Sequence, residues 1–393
     1  MGWVEHLALW LAKDAPHDSV EALFAGFCQE MVRSGEPVWR ASLGLEVLHP
    51  EVSGRQHIWI NESVSVHEAD RATAPTSQSY LNSPTRIVDE TGRPFRRRLE
   101  VPCPDMPLLE ELRLAGATDY VMYPLPFLDQ TRTAVISLAT RKAQGFGPAS
   151  LERLELAAKL LSPYLERHIL RRIAVDLLDT YVGPRTGQRI LDGRVDRGAV
   201  DMIEAAIWFT DLRGFTHMSE RSPIPEVLAH LNAWFGIIGE VVEAQGGEVL
   251  KFIGDAVLAI FPTSTGQDRK TACRKALAAA HEFCRHTEAE NALRASLGIP
   301  RLTHGLALHV GEVAYGNVGA SHRLDFTVVG PAVNRASRLL DLAKQLDRPV
   351  LISRSLAREI DQPLIDLGRH RLRDVEQPQR IFTLPEHGDV RGP

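Results

Sequence analysis

The chain has 393 residues, more than one hydrophobic core usually supports, so two domains with a connector are the starting expectation. A hydrophobic fraction of 44% and a charged fraction of 24% are those of an ordinary globular protein, and 45 basic against 50 acidic residues exclude a general nucleic-acid binder. Cys28, Cys103, Cys273 and Cys284 show no CxxC pairing, which argues against a disulfide framework and a zinc site and favours a reducing compartment, by default the cytoplasm.

No apolar run is read as reaching the roughly 18 to 20 residues of a membrane helix, so no membrane partner is expected. The N-terminal MGWVEHLALWLAKDAP carries Glu5, His6 and Lys13 inside its apolar pattern and reads as an amphipathic helix, not a signal peptide. Helical periodicity continues to residue 33 through Leu23, Phe27 and Met31. VWRASLGLEVLH (38–49) and HIWINESVSVH (57–67) alternate as two strands. The polar stretch 68–105 reads as loop with one short strand, Arg96-Arg97-Arg98 as a solvated charge run, and Cys103 as a loop cysteine rather than a chromophore anchor. A helix at LLEELRLAG, strands at DYVMYPLPFL and TAVISLATR around a turn at Asp129-Gln130, and a helix from Pro148 with a kink at Pro163 follow. This order resembles a GAF-type sensor domain, the alternative being an unspecified α+β domain, and residues 1–165 are assigned as a GAF-like regulatory domain. No motif there names a ligand, so the regulator is an unknown small molecule or ion.

Residues 166–200 read as a helical connector, whose stripe Leu170, Ile173, Leu177 either packs on its own domain or pairs with a second copy. Residues 201–385 then mix antiparallel hairpins with covering helices. Strands are expected at EAAIWFTDL, LKFI, AVLAIFP, THGLALHVGEV, VAYGNVG, RLDFTVVG, PVLIS and RIFTL, and helices at 225–244, 268–294 and PAVNRASRLLDLAKQL. The fold class is α+β, with a ferredoxin-like sandwich in this second domain.

The chemistry-bearing residues gather in three places. At WFTDLRGFT, Asp211 ends an apolar strand and a helix begins near Gly214, Phe215 and Thr216, whose free backbone N–H groups suit a phosphate. Asp255 lies at the Gly-Asp turn of LKFIGDAVLAIFP, and two strand-end carboxylates beside a phosphate-binding turn suit Mg²⁺. In TVVGPAVNRASR, Asn334 and Arg338 are i,i+4 and share a helix face, with Pro331 at the helix start. Singly, a strand-end Asp is more often a cap or turn residue, and Asn334 and Arg338 would read as a solvated helix face.

Together and in this order, FTDLRGFT, KFIGDAV and TVVGPAVNRASR closely resemble the class III nucleotidyl cyclase catalytic domain. The resemblance implies metal binding by Asp211 and Asp255, adenine reading by Lys251, and ribose orientation and transition-state stabilisation by Asn334 and Arg338. Thr327 stands where many adenylyl cyclases carry a second purine-reading aspartate, as in a bacterial Lys/Thr subgroup, and Arg373 is the candidate for the triphosphate. Implied with these are ATP as substrate, two Mg²⁺ (or Mn²⁺) ions per active site, and a homodimer with each site shared between two copies. A guanylate or mixed-specificity cyclase is the nearest alternative, and a catalytically silent nucleotide-binding regulator the alternative of another class.

Overall fold

The computed structural model describes residues 2–16, 18–47, 52–128, 134–263 and 268–385, and the chain divides into two compact units, 1–177 and 178–393.

In the first unit, helices α1 (Trp3–Lys13) and α2 (Val20–Arg33) precede the strands β1 (Arg40–Glu46), β2 (Val52–Ile60) and β3 (Ser63–Asp70). Next come α3 (Gln78–Leu81), α4 (Pro84–Thr91), β4 (Phe95–Arg98), α5 (Pro107–Leu114), β5 (Asp119–Pro124), β6 (Ala134–Thr140) and α6 (Pro148–Val182). The sheet runs β3-β2-β1-β6-β5-β4 with antiparallel pairs throughout. One core joins Leu7, Leu11, Phe24, Phe27 and Met31 to the sheet and to α6, as the helical periodicity requires.

Several expectations are corrected here. HIWINESVSVH is a hairpin and not one strand: Asn61 and Glu62 both adopt positive φ (49° and 65°), which turns the chain back with the twist that tight hairpins need. The stretch 68–105 holds helix α4, started by Pro84 and capped by the Ser83 hydroxyl on the Arg86 N–H. Arg96, Arg97 and Arg98 form strand β4 and pair with Asp119, Asp105 and Glu100 at 2.7, 2.6 and 2.6 Å, so they are not a loose charge run. Cys103 does lie in a loop as expected, and there it is fully buried in a second small core. Helix α6 continues through Pro163 for 35 residues; Ile173 is buried in the unit's core while Leu170 and Leu177 are exposed. The expected turn at Asp129-Gln130 and residues 48–49 lie outside the described residues.

The second unit contains α7 (Pro184–Leu191), β7 (Val200–Leu212), α8 (Phe215–Ser219), α9 (Ile224–Ala244), β8 (Glu248–Ile253), β9 (Ala256–Pro262) and α10 (Arg269–Leu297). It closes with β10 (His304–Ala320), β11 (Arg323–Val329), α11 (Pro331–Gln345), β12 (Val350–Ser353), α12 (Arg354–Ala357), β13 (Ile365–His370) and β14 (Gln379–Thr383). The sheet order β13-β14-β12-β10-β7-β9-β8 contains the β-α-β-β-α-β arrangement, with the hairpin β8-β9 beside β7 and β10 on its other side. The segments THGLALHVGEV and VAYGNVG, expected as two strands, are the single strand β10, and β13 was not anticipated.

Alternation along β7 assigns its two faces. Ala206, Trp208 and Leu212 face α9 and α10, while Ala205, Ile207 and Phe209 face α11 and β11. Helix α9 corrects a further expectation, since Ile224–Ala244 is by length and composition apolar enough to cross a membrane. His230, Asn232 and three glutamates break the run in sequence, and Trp234, Ile238, Val241 and Val242 pack into the core.

Candidate active site

Strand β7 delivers Asp211 to the edge of the α11 side, and the β8-β9 turn delivers Asp255 next to it. Gly254 makes that turn possible: its φ is +65°, while a Cβ there would meet nothing within 4 Å, so backbone conformation and not space requires glycine. The Leu212 N–H donates to Asp255 Oδ2 at 3.2 Å and the Trp234 indole N–H donates to the Asp255 carbonyl at 3.0 Å. These bonds fix the turn from two sides.

Asp211 Oδ1 is buried and accepts no hydrogen bond among the described residues, although Arg213 Nε lies at 3.5 Å. Burial pushes the Asp211 carboxyl up, the Arg213 guanidinium opposes this, and the neighbouring Asp255 charge adds to it. Both terminal nitrogens of Arg213 are likewise buried without a hydrogen-bond partner among the described residues. A Cβ at Gly305, which pairs with Asp211 across the sheet, would collide with that guanidinium and stand 2.7 Å from Asp211 Oδ1. Two carboxylates and a cation with open hydrogen-bonding capacity therefore converge on one spot. No group of three or more His, Cys, Asp or Glu side chains that could hold a metal ion exists among the described residues, and the donor set here fits a cation that takes one or two carboxylates and completes its shell with phosphate oxygens and water. Gly214, in the left-handed conformation at φ 73°, precedes α8, placing Phe215 and Thr216 in its first turn.

The other expected residues form two separate groups. The Lys251 ammonium pairs with Asp325 of β11, and because Asp325 and Thr327 are two apart on one strand they share a face. Thr327 is buried beneath that face. Arg338 on α11 reaches Asp341 at 3.5 Å and Asp374 at 3.4 Å, and Arg373 reaches the same Asp374 at 3.3 Å. Asp374 adopts a left-handed φ of 61°, which an aspartate tolerates better than most residues. Asn334 is exposed on the same helix.

Among the described residues no hydrogen bond or ion pair joins these groups to the carboxylate pair. Lys344, near the end of α11, is the residue of that helix whose charge acts on Asp211, and Asn334 lies ten residues, or about 15 Å, back along the helix from it. Arg213 and Asp325 carried no separate role in the sequence pattern. Arg213 directly follows TDL and Asp325 stands two residues before Thr327, and neither position signals in sequence the pair it makes in the fold.

These features define the class: an α+β domain with two adjacent strand-end carboxylates, a glycine turn into a short helix and a cationic helix face. Residues 199–367 match the family model described as "Adenylate and Guanylate cyclase catalytic domain", and the second unit carries that cyclase catalytic domain. Among curated relatives, an adenylate cyclase of Anabaena cylindrica is 33% identical over 171 residues, covering 43% of this chain and 33% of the relative. Adenylate cyclase 1 of Rhizobium meliloti is 36% identical over 152 residues, covering 38% of this chain and 22% of the relative. The chain thus spans a third or less of these relatives' length. Among solved structures, a bacterial light-regulated adenylyl cyclase is 26% identical with a TM-score of 0.49, covering 58% of this chain and 65% of that one.

Proposed function

We propose that the protein is an adenylate cyclase that converts ATP to 3′,5′-cyclic AMP and pyrophosphate at sites shared between two copies of the chain. The observation that carries this reading is the pair Asp211 and Asp255 beside the Arg213 guanidinium, whose terminal nitrogens have no hydrogen-bond partner among the described residues, inside a matched cyclase domain. Asp211 and Asp255 would hold two Mg²⁺ (or Mn²⁺) ions, which supply Lewis-acid activation of the ribose 3′-hydroxyl and neutralise phosphate charge.

The chain's own groups do the rest. Arg338, now resting on two exposed carboxylates at 3.4 to 3.5 Å, exchanges these weak pairs for the shorter, charge-assisted bonds of a transferring phosphoryl group. Asn334 orients the ribose from the same helix. Lys251, positioned by Asp325, donates to the adenine, with the Thr327 hydroxyl on the same face as a second hydrogen-bonding group. Gly214, Phe215 and Thr216 cradle phosphate through backbone N–H groups, and Arg373 meets the triphosphate beside Arg338. No side chain stands out as a general base.

Because Asn334 and Arg338 lie up the helix from Lys344, whose charge acts on Asp211, one copy supplies the carboxylates and its partner supplies Lys251, Asn334 and Arg338. The exposed Leu170 and Leu177 on α6 give that pairing a further apolar contact. Residues 1–165 carry none of these groups and act as a GAF-like regulatory domain in a cytoplasmic enzyme.

The experiment is turnover of ATP and GTP by the full chain with Mg²⁺ or Mn²⁺, products separated chromatographically. Cyclic AMP is expected as the main product. Faster GTP turnover would favour the guanylate reading, and absence of both products would favour a silent nucleotide-binding regulator.

A further inference from the structure

On the α11 side of the second unit, a cavity of about 180 Å³ opens between α11, α12 and β14, away from the carboxylate pair. His309 of β10, buried at 5% exposure, lies in its wall, and its Nδ1 lies 2.9 Å from Ser353 Oγ and 3.1 Å from Ser355 Oγ. Arg335, Arg354 and Arg358 line the same cavity, and no Asp or Glu does. None of these three arginines makes an ion pair or a side-chain hydrogen bond among the described residues, whereas Arg269, Arg338, Arg373 and Arg380 in the same unit all do. Three uncompensated guanidiniums around one small cavity repel one another, and an anion removes that cost.

We propose that this cavity is an anion site that takes a phosphate group, free or carried on a small molecule. Guanidinium forks match phosphate oxygens two at a time, and the Ser353 and Ser355 hydroxyls add donors whose acceptors are now one another and the imidazole. Burial, with Arg335 and Arg269 nearby, lowers the His309 pKa to about 4, so the imidazole is neutral and its role is to orient the two hydroxyls. Arg335 follows Asn334 directly on α11, so a phosphate held here ties that helix to the β12-α12 corner. The site needs neither the metal pair nor the nucleotide, and it stands whether or not the cyclase reading holds.

The test is ³¹P NMR titration of the full chain in metal-free buffer, at ionic strength held constant with chloride. Inorganic phosphate, pyrophosphate and glucose 6-phosphate are compared in separate arms, so that free and esterified phosphate are told apart. Saturable binding is expected in the unmodified chain and in Arg338→Ala. Arg354→Gln/Arg358→Gln, at exposed positions and with an unchanged fold checked by circular dichroism, should weaken it at least about tenfold, the loss of one charge-assisted bond or more. Unchanged affinity in the double variant, loss in Arg338→Ala instead, equal competition by chloride, or no saturation by any probe below about 10 mM would each overturn the proposal.

Discussion

Replacing Asp255 by asparagine separates the charge of the carboxylate pair from its role in the turn. The backbone carbonyl of residue 255 keeps the Trp234 indole N–H, and the carboxamide oxygen can still accept the Leu212 N–H. What is lost on the stability side is the difference between a charged and a neutral acceptor, about 1 kcal/mol. Relief of the repulsion between Asp211 and Asp255 offsets part of it. The melting temperature should therefore move by no more than about 2 to 4 °C. Activity should respond on another scale: removing one preorganised charged group from a phosphoryl-transfer site costs about 3 to 4 kcal/mol of barrier, or roughly 10²- to 10³-fold in turnover. The assay is the initial rate of cyclic AMP formation at saturating ATP and Mg²⁺, with a thermal melt on the same sample. A variant that melts like the unmodified chain yet keeps more than about a tenth of its rate would refute the role given to Asp255.

Two more predictions bear on the same site. Asp211→Asn should be inactive yet raise the melting temperature of the metal-free protein at neutral pH. The folded carboxyl is pushed above its ordinary value, so the stability that its protonated form contributes is present at low pH and lost as pH rises through that raised value; if the variant melts lower than the unmodified chain at neutral pH and no higher at acid pH, the burial argument fails. Co-expressed Asp211→Ala and Arg338→Ala chains, each inactive alone, should recover about a quarter of the unmodified activity, since half of randomly paired dimers are mixed and each of those has one intact site of two. Verified mixed dimers without activity would place both groups in one chain's site.

The local pattern of LKFIGDAVLAIFP was enough to specify a hairpin, because alternating apolar residues and a glycine at the turn are decided by neighbours in sequence. The helix PAVNRASRLLDLAKQL was equally legible, since its proline start and apolar spacing are local signals. HIWINESVSVH shows where that logic stops, because its alternation persists through a turn made by two non-glycine residues with positive φ. What only the folded chain decided is which charges meet. Lys251 finds Asp325 across 74 positions, and Arg338 finds Asp374 across 36. Arg213 fills the space left by Gly305 on a neighbouring strand. Spacing along the chain carries no record of such pairs, because strand order and the packing of β11 and α11 over the sheet set the distances on which electrostatics depends.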